Sequence, residues 1–295
     1  MLMLKTGALR IDTVSLYKSH TTVDVLRLDL LHPVVSGNKF FKLEKYIEEA
    51  QQLGKSTLLT FGGPYSNHIV ATAAAAQLCG MASIGIVRCH PPKQISPTLA
   101  DARDYGMQVF FAPTADAEQQ VLSSLHTGPV YSIPMGGYGL PGKEGAKAIL
   151  GLHPIANYSH IITAVGTGTT LAGLIESSLS TQQVLGISAM KNNTALEAEV
   201  QQLLPAPLKH RVQILHDYHC GGFARHTPEL LNFMNAWYQD TGIPSDFVYT
   251  GKLFFALHDL VSKKFFPEGS SVLVIHSGGL QGNRSLAKGT LIFGL

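Results

Sequence analysis

Apolar positions along the chain fall into two kinds of run. Short, nearly continuous apolar or β-branched stretches read as buried strands: Thr57–Phe61 (TLLTF), Ala82–Val87 (ASIGIV), Gln108–Phe111, Val130–Ile133, His160–Val165 (HIITAV), Val184–Ser188 and Ser271–His276 (SVLVIH). Between them lie stretches of helical length. These are Asn67–Cys79, closed by Gly80, then Ser96–Tyr105, closed by Gly106, then Ala115–Leu125. Further on come a helix from Leu171, another around Leu196–Leu203, one holding Phe233–Tyr238, and Gly251–Ser262. Strands separated by helix-length crossovers predict an α/β fold, with parallel-rich sheets covered by helices. Several strand ends run straight into Gly-rich turns that open a helix, and ligands of such folds bind at those carboxyl ends. Lys191–Asn193 is the least ordered-looking stretch, and neither a repeat nor a long linker interrupts the pattern.

Composition narrows the class. The 295 residues are 45% hydrophobic and 14% charged, enough for a large core in one or two domains. Mean hydropathy is +0.14, yet no apolar run reaches the roughly 20 residues of a membrane helix. The start, MLMLKTGALRID, is too short an apolar stretch for a signal peptide. A cytoplasmic protein without a membrane partner is therefore expected. Twenty-two basic residues against 20 acidic ones give a net charge of +2. No basic cluster exceeds Lys263-Lys264, which argues against a nucleic-acid partner. Cys79, Cys89 and Cys220 show no paired spacing, so neither a disulfide framework nor a structural metal site is expected.

Five segments can carry chemistry. Gly166-Thr167-Gly168-Thr169-Thr170 lies between a strand and a helix, where free amides and hydroxyls suit a phosphate; a plain tight turn is the alternative. In Ser36–Leu43, Lys39 and Lys42 share a helix face. Lys42 and the apolar Phe40-Phe41 would hold Lys39 neutral, and a neutral lysine can form a Schiff base; an ordinary amphipathic helix start is the alternative. Gly62–His68 is another strand-to-helix turn. Ser66 there could bind or relay a proton or simply cap the helix, and His68 on a first turn is usually structural. Val248–Lys252 offers Tyr249 to stack on a planar ring. His276–Gly279 closes the last strand.

In this order, the segments resemble the family of 1-aminocyclopropane-1-carboxylate (ACC) deaminases and D-cysteine desulfhydrases, pyridoxal-phosphate enzymes with the tryptophan synthase β-subunit fold. The family's GGNK-x-x-KLE is similar to Ser36–Glu44, its GG-x-x-SN to Gly62–Asn67, and its phosphate loop to Gly166–Thr170. Its DPVY-x-GK is similar to Asp246–Lys252 and its H-x-GG to His276–Gly279, so the likeness runs from about Leu26 to Gly279. The resemblance implies pyridoxal 5'-phosphate as cofactor, with Lys39 as its Schiff-base lysine. Asn67 would bond the phenolic oxygen, and Ser66 would meet the substrate carboxylate or assist proton transfer. Gly166, Thr167, Gly168, Thr169 and Thr170 would hold the phosphate, Tyr249 would lie beside the ring, and Thr250 would face the pyridine nitrogen.

The resemblance further implies a homodimer, a large cofactor-binding domain of residues 1–44 plus 140–295, a small domain of 45–139, and the cofactor in the cleft between them. Its catalytic set is Lys39, Ser66 and Tyr249, with no metal. ACC deaminases carry Glu where Thr250 stands, and a second tyrosine where Phe223 aligns, unless Tyr218 substitutes. The chain is also shorter than typical members, and Phe40-Phe41 replaces a segment that usually carries Arg. These departures point to a D-cysteine desulfhydrase-like lyase that acts on a small amino acid. ACC deamination to 2-oxobutanoate and ammonia is the alternative, with dehydratase or racemase activity on the same fold behind it. A non-catalytic α/β binding protein is the distant one.

Overall fold

A computed structural model describes residues 9–16, 21–125 and 128–293. Among the described residues, ten strands form two sheets. They are β1 (Ile11–Val14), β2 (Thr22–Arg27), β3 (Thr57–Gly62), β4 (Ala82–Val87), β5 (Met107–Phe111), β6 (Val130–Ile133), β7 (His160–Val165), β8 (Gln183–Ser188), β9 (Gln213–Leu215) and β10 (Ser271–His276). Six of them lie in the order β1-β2-β10-β7-β8-β9, and four in the order β5-β4-β3-β6. Every pairing is parallel except that of β1 with β2. The parallel, helix-covered α/β architecture expected from the pattern is therefore present.

The central strands are buried on both faces, as parallel strands require. All six residues of β7 are buried, and Val272–Ile275 of β10 have no exposed surface. The helices are α1 (Asn38–Gln52), α2 (Asn67–Leu78), α3 (Pro97–Asp104), α4 (Ala115–Ser124), α5 (Leu140–Lys147), α6 (Thr169–Ser177), α7 (Leu196–Gln202), α8 (Pro228–Thr241) and α9 (Thr250–Ser262). Ser66, Ser96, Thr114 and Thr227 cap α2, α3, α4 and α8, each side-chain oxygen accepting an amide from the first turn.

Two features of packing set the site. α5 lies so close to α1 that a Cβ on Gly145 would stand 1.9 Å from Phe41 O. Gly37, at φ 63°, brings the start of α1 against the turn after β10, where Asn38 N–H donates to Ser277 O at 3.2 Å. A Cβ on Gly37 would lie 1.8 Å from that oxygen, so only glycine fits. Lys191–Asn193 forms a bend, with Asn192 at φ 57°. No helix among the described residues is long and apolar enough to cross a membrane.

Candidate active site

The carboxyl ends of the strands of both sheets open onto one cavity of about 690 Å³. Its wall draws on all five segments singled out above, with Lys39 and Lys42 from the first, Gly62–His68, Gly166-Thr167-Gly168 and Thr170, Val248-Tyr249, and Ser277–Gly279. The described residues lining it include no Asp, Glu or Arg, and its cationic groups are Lys39 and Lys42.

Lys39 sits on the first turn of α1. Its Nζ donates to Asn38 Oδ1 at 3.2 Å, and Asn38 Nδ2 donates to Thr170 Oγ1 at 2.8 Å. Asn38 thus ties the lysine to the Gly/Thr turn at the start of α6. Burial lowers Lys39 from 10.5 to about 8, against the opposing pull of the Asp246 charge. The expected effect of Lys42 runs the other way. Lys42 is itself held well below the usual lysine range, by burial first and then by the charge of Lys39, and its Nζ donates to Gly136 O at 3.1 Å.

In the Gly/Thr turn, the first amide with an intrahelical acceptor is that of Ala172, on Gly168 O at 2.9 Å. The amides of Thr169, Thr170 and Leu171 precede it, at the positive end of α6. Gly166, Thr167, Gly168 and Thr170 face the cavity. Thr169 is fully buried behind them, its hydroxyl 3.2 Å from that of Thr167.

Ser66 lines the cavity and also caps α2, its Oγ accepting the Ile69 amide at 3.3 Å. Asn67 Nδ2 donates to Gly279 O at 3.1 Å, while its Oδ1 is buried with no partner. His68 is 2% exposed, and neither ring nitrogen has a partner. Tyr249 packs edge-on against Phe223, centroids 6.1 Å apart, and its ring reaches to 3.0 Å from where a Cβ on Gly166 would stand. Burial and the Asp246 charge keep its phenol protonated.

Thr250 is fully buried and lies behind the lining. Its hydroxyl donates to Asp246 Oδ1 and accepts the Asp246 amide, both at 2.8 Å. Asp246 also accepts the amides of Val248, Tyr249 and Thr250, capping α9. Tyr218 bonds Asp259 at 2.7 Å and does not line the cavity, whereas Phe223 does. His276 is wholly buried, with Nε2 2.7 Å from Pro244 O and Nδ1 accepting the Gly278 amide, so it shapes the Ser277–Gly279 wall from behind.

The motifs left two roles unassigned, Asn38 as the bridge and Asp246 as acceptor for the start of α9, while His68, read as structural, lies in the cavity wall. Among the described residues no group of His, Cys, Asp or Glu could hold a metal. All three cysteines are free.

An unpaired buried amide oxygen, open amides at a helix start and a lysine shifted to about 8 suit a small aldehyde with an anionic tail. The family described as "Pyridoxal-phosphate dependent enzyme" matches residues 16–278. The chain belongs to this family. The enzyme is 28% identical over 287 residues to the 1-aminocyclopropane-1-carboxylate deaminase of Bradyrhizobium sp. (strain BTAi1), covering 83% of this chain and 82% of that one. It is 26% identical over 283 residues to the D-cysteine desulfhydrase of Klebsiella pneumoniae (strain 342), covering 86% of each. Among solved structures, an ACC deaminase homologue superposes with a TM-score of 0.79 at 25% identity, covering 93% of this chain and 90% of the other. The enzyme has the type II fold of pyridoxal-phosphate enzymes and depends on that cofactor.

Proposed function

We propose that the enzyme removes ammonia from a small amino acid in the manner of a D-cysteine desulfhydrase, converting D-cysteine and water to pyruvate, hydrogen sulfide and ammonia. The observation that carries this reading is the link from Lys39 through Asn38 to Thr170, which joins a low-pKa amine to the mouth of a phosphate-sized turn. Bound there, the cofactor supplies an aldehyde for amines and a conjugated ring that accepts the electrons left when an α-proton departs. Lys39 is the amine that would hold the cofactor, and its freed Nζ would serve as the base at the α-carbon. Gly166, Thr167, Gly168 and Thr170 would hold the phosphate, with Thr169 supporting the turn from behind. Asn67 would meet the phenolic oxygen, Ser66 the substrate carboxylate, and Tyr249 would flank the ring.

Thr250 belongs to this reading as the support of the wall facing the pyridine nitrogen. Its hydroxyl is taken up by Asp246, so no side-chain carboxylate stands at the cavity surface there. A ring without a facing carboxylate is a weaker electron sink, which suits loss of a good leaving group such as thiolate better than ring opening. Phe223, with no hydroxyl, supports the same preference. The residues 1–44 plus 140–295 and 45–139 form the proposed large and small domains, a division supported by the separate sheets. A cytoplasmic homodimer completes the proposal.

The test is direct. Purified protein given pyridoxal phosphate acquires a visible band that borohydride bleaches, and Lys39→Ala does not. D-cysteine, ACC and serine are then assayed side by side. Sulfide and pyruvate from D-cysteine, in excess over 2-oxobutanoate from ACC, are expected; the reverse ranking replaces this reading with ACC deamination.

A further inference from the structure

His68 is a buried group of the cavity wall that this reading leaves without work. It stands on the first turn of α2, 2% exposed, with both ring nitrogens buried and unpartnered. A buried polar group without a partner is costly, so a native one calls for an explanation. Its neighbours are informative. A Cβ on Gly137 would lie 3.4 Å from both His68 Cε1 and Lys42 Cδ, so the imidazole and the lysine stem flank one turn. The same turn meets the phosphate side of the cavity, because a Cβ on Gly136 would lie 3.0 Å from Thr167 Cγ2, and Gly136 O accepts a hydrogen bond from Lys42 Nζ. His68, Lys42 and Thr167 therefore surround one short backbone turn.

The charges around His68 come from few elements. α1 contributes Lys39 and Lys42; both oppose a charge on the imidazole, although burial does so more strongly. The turn at 135–137 and the Gly/Thr turn carry no titratable side chain. The segment before α9 contributes Asp246, committed to the cap, and Tyr249, protonated. The segment before α8 adds His226 to the cavity wall, so four basic groups, Lys39, Lys42, His68 and His226, face a cavity whose described lining has no acid. A phosphate monoester would bring the missing countercharge.

We propose that His68 is an anion-binding residue, which with Lys42 takes up a proton as a phosphate monoester enters the cavity. The proton comes from solvent and is shared by the pair, and no covalent bond is made or broken. The sign follows from linkage. The empty cavity disfavours charge on His68 and Lys42, and the anion favours it, so the loaded state binds more protons and affinity rises as pH falls. This inference rests on the assignment of the phosphate to Gly166–Thr170.

Pyridoxine 5'-phosphate is the probe, since it has the phosphate and ring but no aldehyde, which leaves Lys39 out of the measurement as a nucleophile. The full chain, freed of cofactor, is titrated calorimetrically from pH 6.5 to 8.5 in buffers of different ionisation enthalpy, alongside His68→Gln. The unmutated protein should take up protons and bind more tightly at pH 6.5. His68→Gln should bind ten- to a hundredfold more weakly there, the effect of one charge-assisted hydrogen bond, with a flatter pH slope. Affinity for pyridoxine, which lacks the phosphate, should not change. Equal weakening toward both ligands marks a merely structural histidine and overturns the proposal, as does an unchanged slope. If His68→Gln does not fold, absence of proton uptake by the unmutated protein overturns it alone. If the phosphate adds no affinity to the unmutated protein, the phosphate assignment itself fails and this inference with it; if it does add affinity and His68→Gln matches the parent, only this inference fails.

Discussion

At Lys39 the deciding quantity is the fraction of amine free of its proton. Lowering from 10.5 to about 8 raises that fraction roughly three-hundredfold at neutral pH. Capture of pyridoxal phosphate by cofactor-free protein should therefore accelerate about tenfold per pH unit below 8 and level off above it. Stopped-flow absorbance would show this, and a midpoint near 10 would mean that burial does not set the reactivity. Much of the site was legible at this scale, because Lys39, Ser66, Asn67 and Tyr249 lie in turns where side-chain types report local chemistry. Thr169 and Thr250 were harder to place. On a helix's first turn each residue points about 100° from the last, so neighbours in sequence cannot all face one cavity. Thr170 faces it while Thr169 does not, and Tyr249 does while Thr250 turns back to Asp246. His68 and the direction of the Lys39–Lys42 repulsion depend on burial, which no short motif encodes.

Among the elements, the start of α9 hangs on one carboxylate. Asp246→Ala would strip the acceptor from two buried amides, the part-buried Tyr249 amide and the Thr250 hydroxyl, at about 1–3 kcal/mol for each buried group left unpaired. A loss of roughly 3 kcal/mol or more in urea unfolding is expected. Gly145→Ala should also destabilise, by about 1–3 kcal/mol, since its methyl would meet Phe41 O and push α5 off α1. An unchanged midpoint would show that the two helices can part freely. The buried parallel strands were legible because they are continuous apolar runs flanked by glycine. β1 (IDTV), β2 (TVDVLR) and β9 (QIL) were not, being short or mixed with charge. α5 (LPGKEGAK) was hidden by its own glycines, which serve the close approach rather than the helix.

For the whole molecule, the cavity exists only where separate parts of the chain meet. Gly37 is one such meeting point, between the start of α1 and the turn after β10. Gly37→Ala would force the first turn of α1 from Ser277, tilting Lys39 away from Thr170. Cofactor capture should slow by on the order of tenfold or more, given about 1–3 kcal/mol of strain, with far-ultraviolet circular dichroism little altered. Wild-type capture by the variant would separate helix placement from lysine reactivity. Sheet order was not legible at all, because crossover direction leaves no mark in apolar patterning. That order has a further consequence. β10 lies between β2 and β7, pairing Val272 with Val23 on one side and with His160 on the other. During synthesis, then, Lys39 and the Gly/Thr turn leave the ribosome well before the strand that joins their halves of the sheet. Until residues 271–276 emerge, the nascent chain has these side chains but no finished pocket, so a complete cofactor site has to wait for β10.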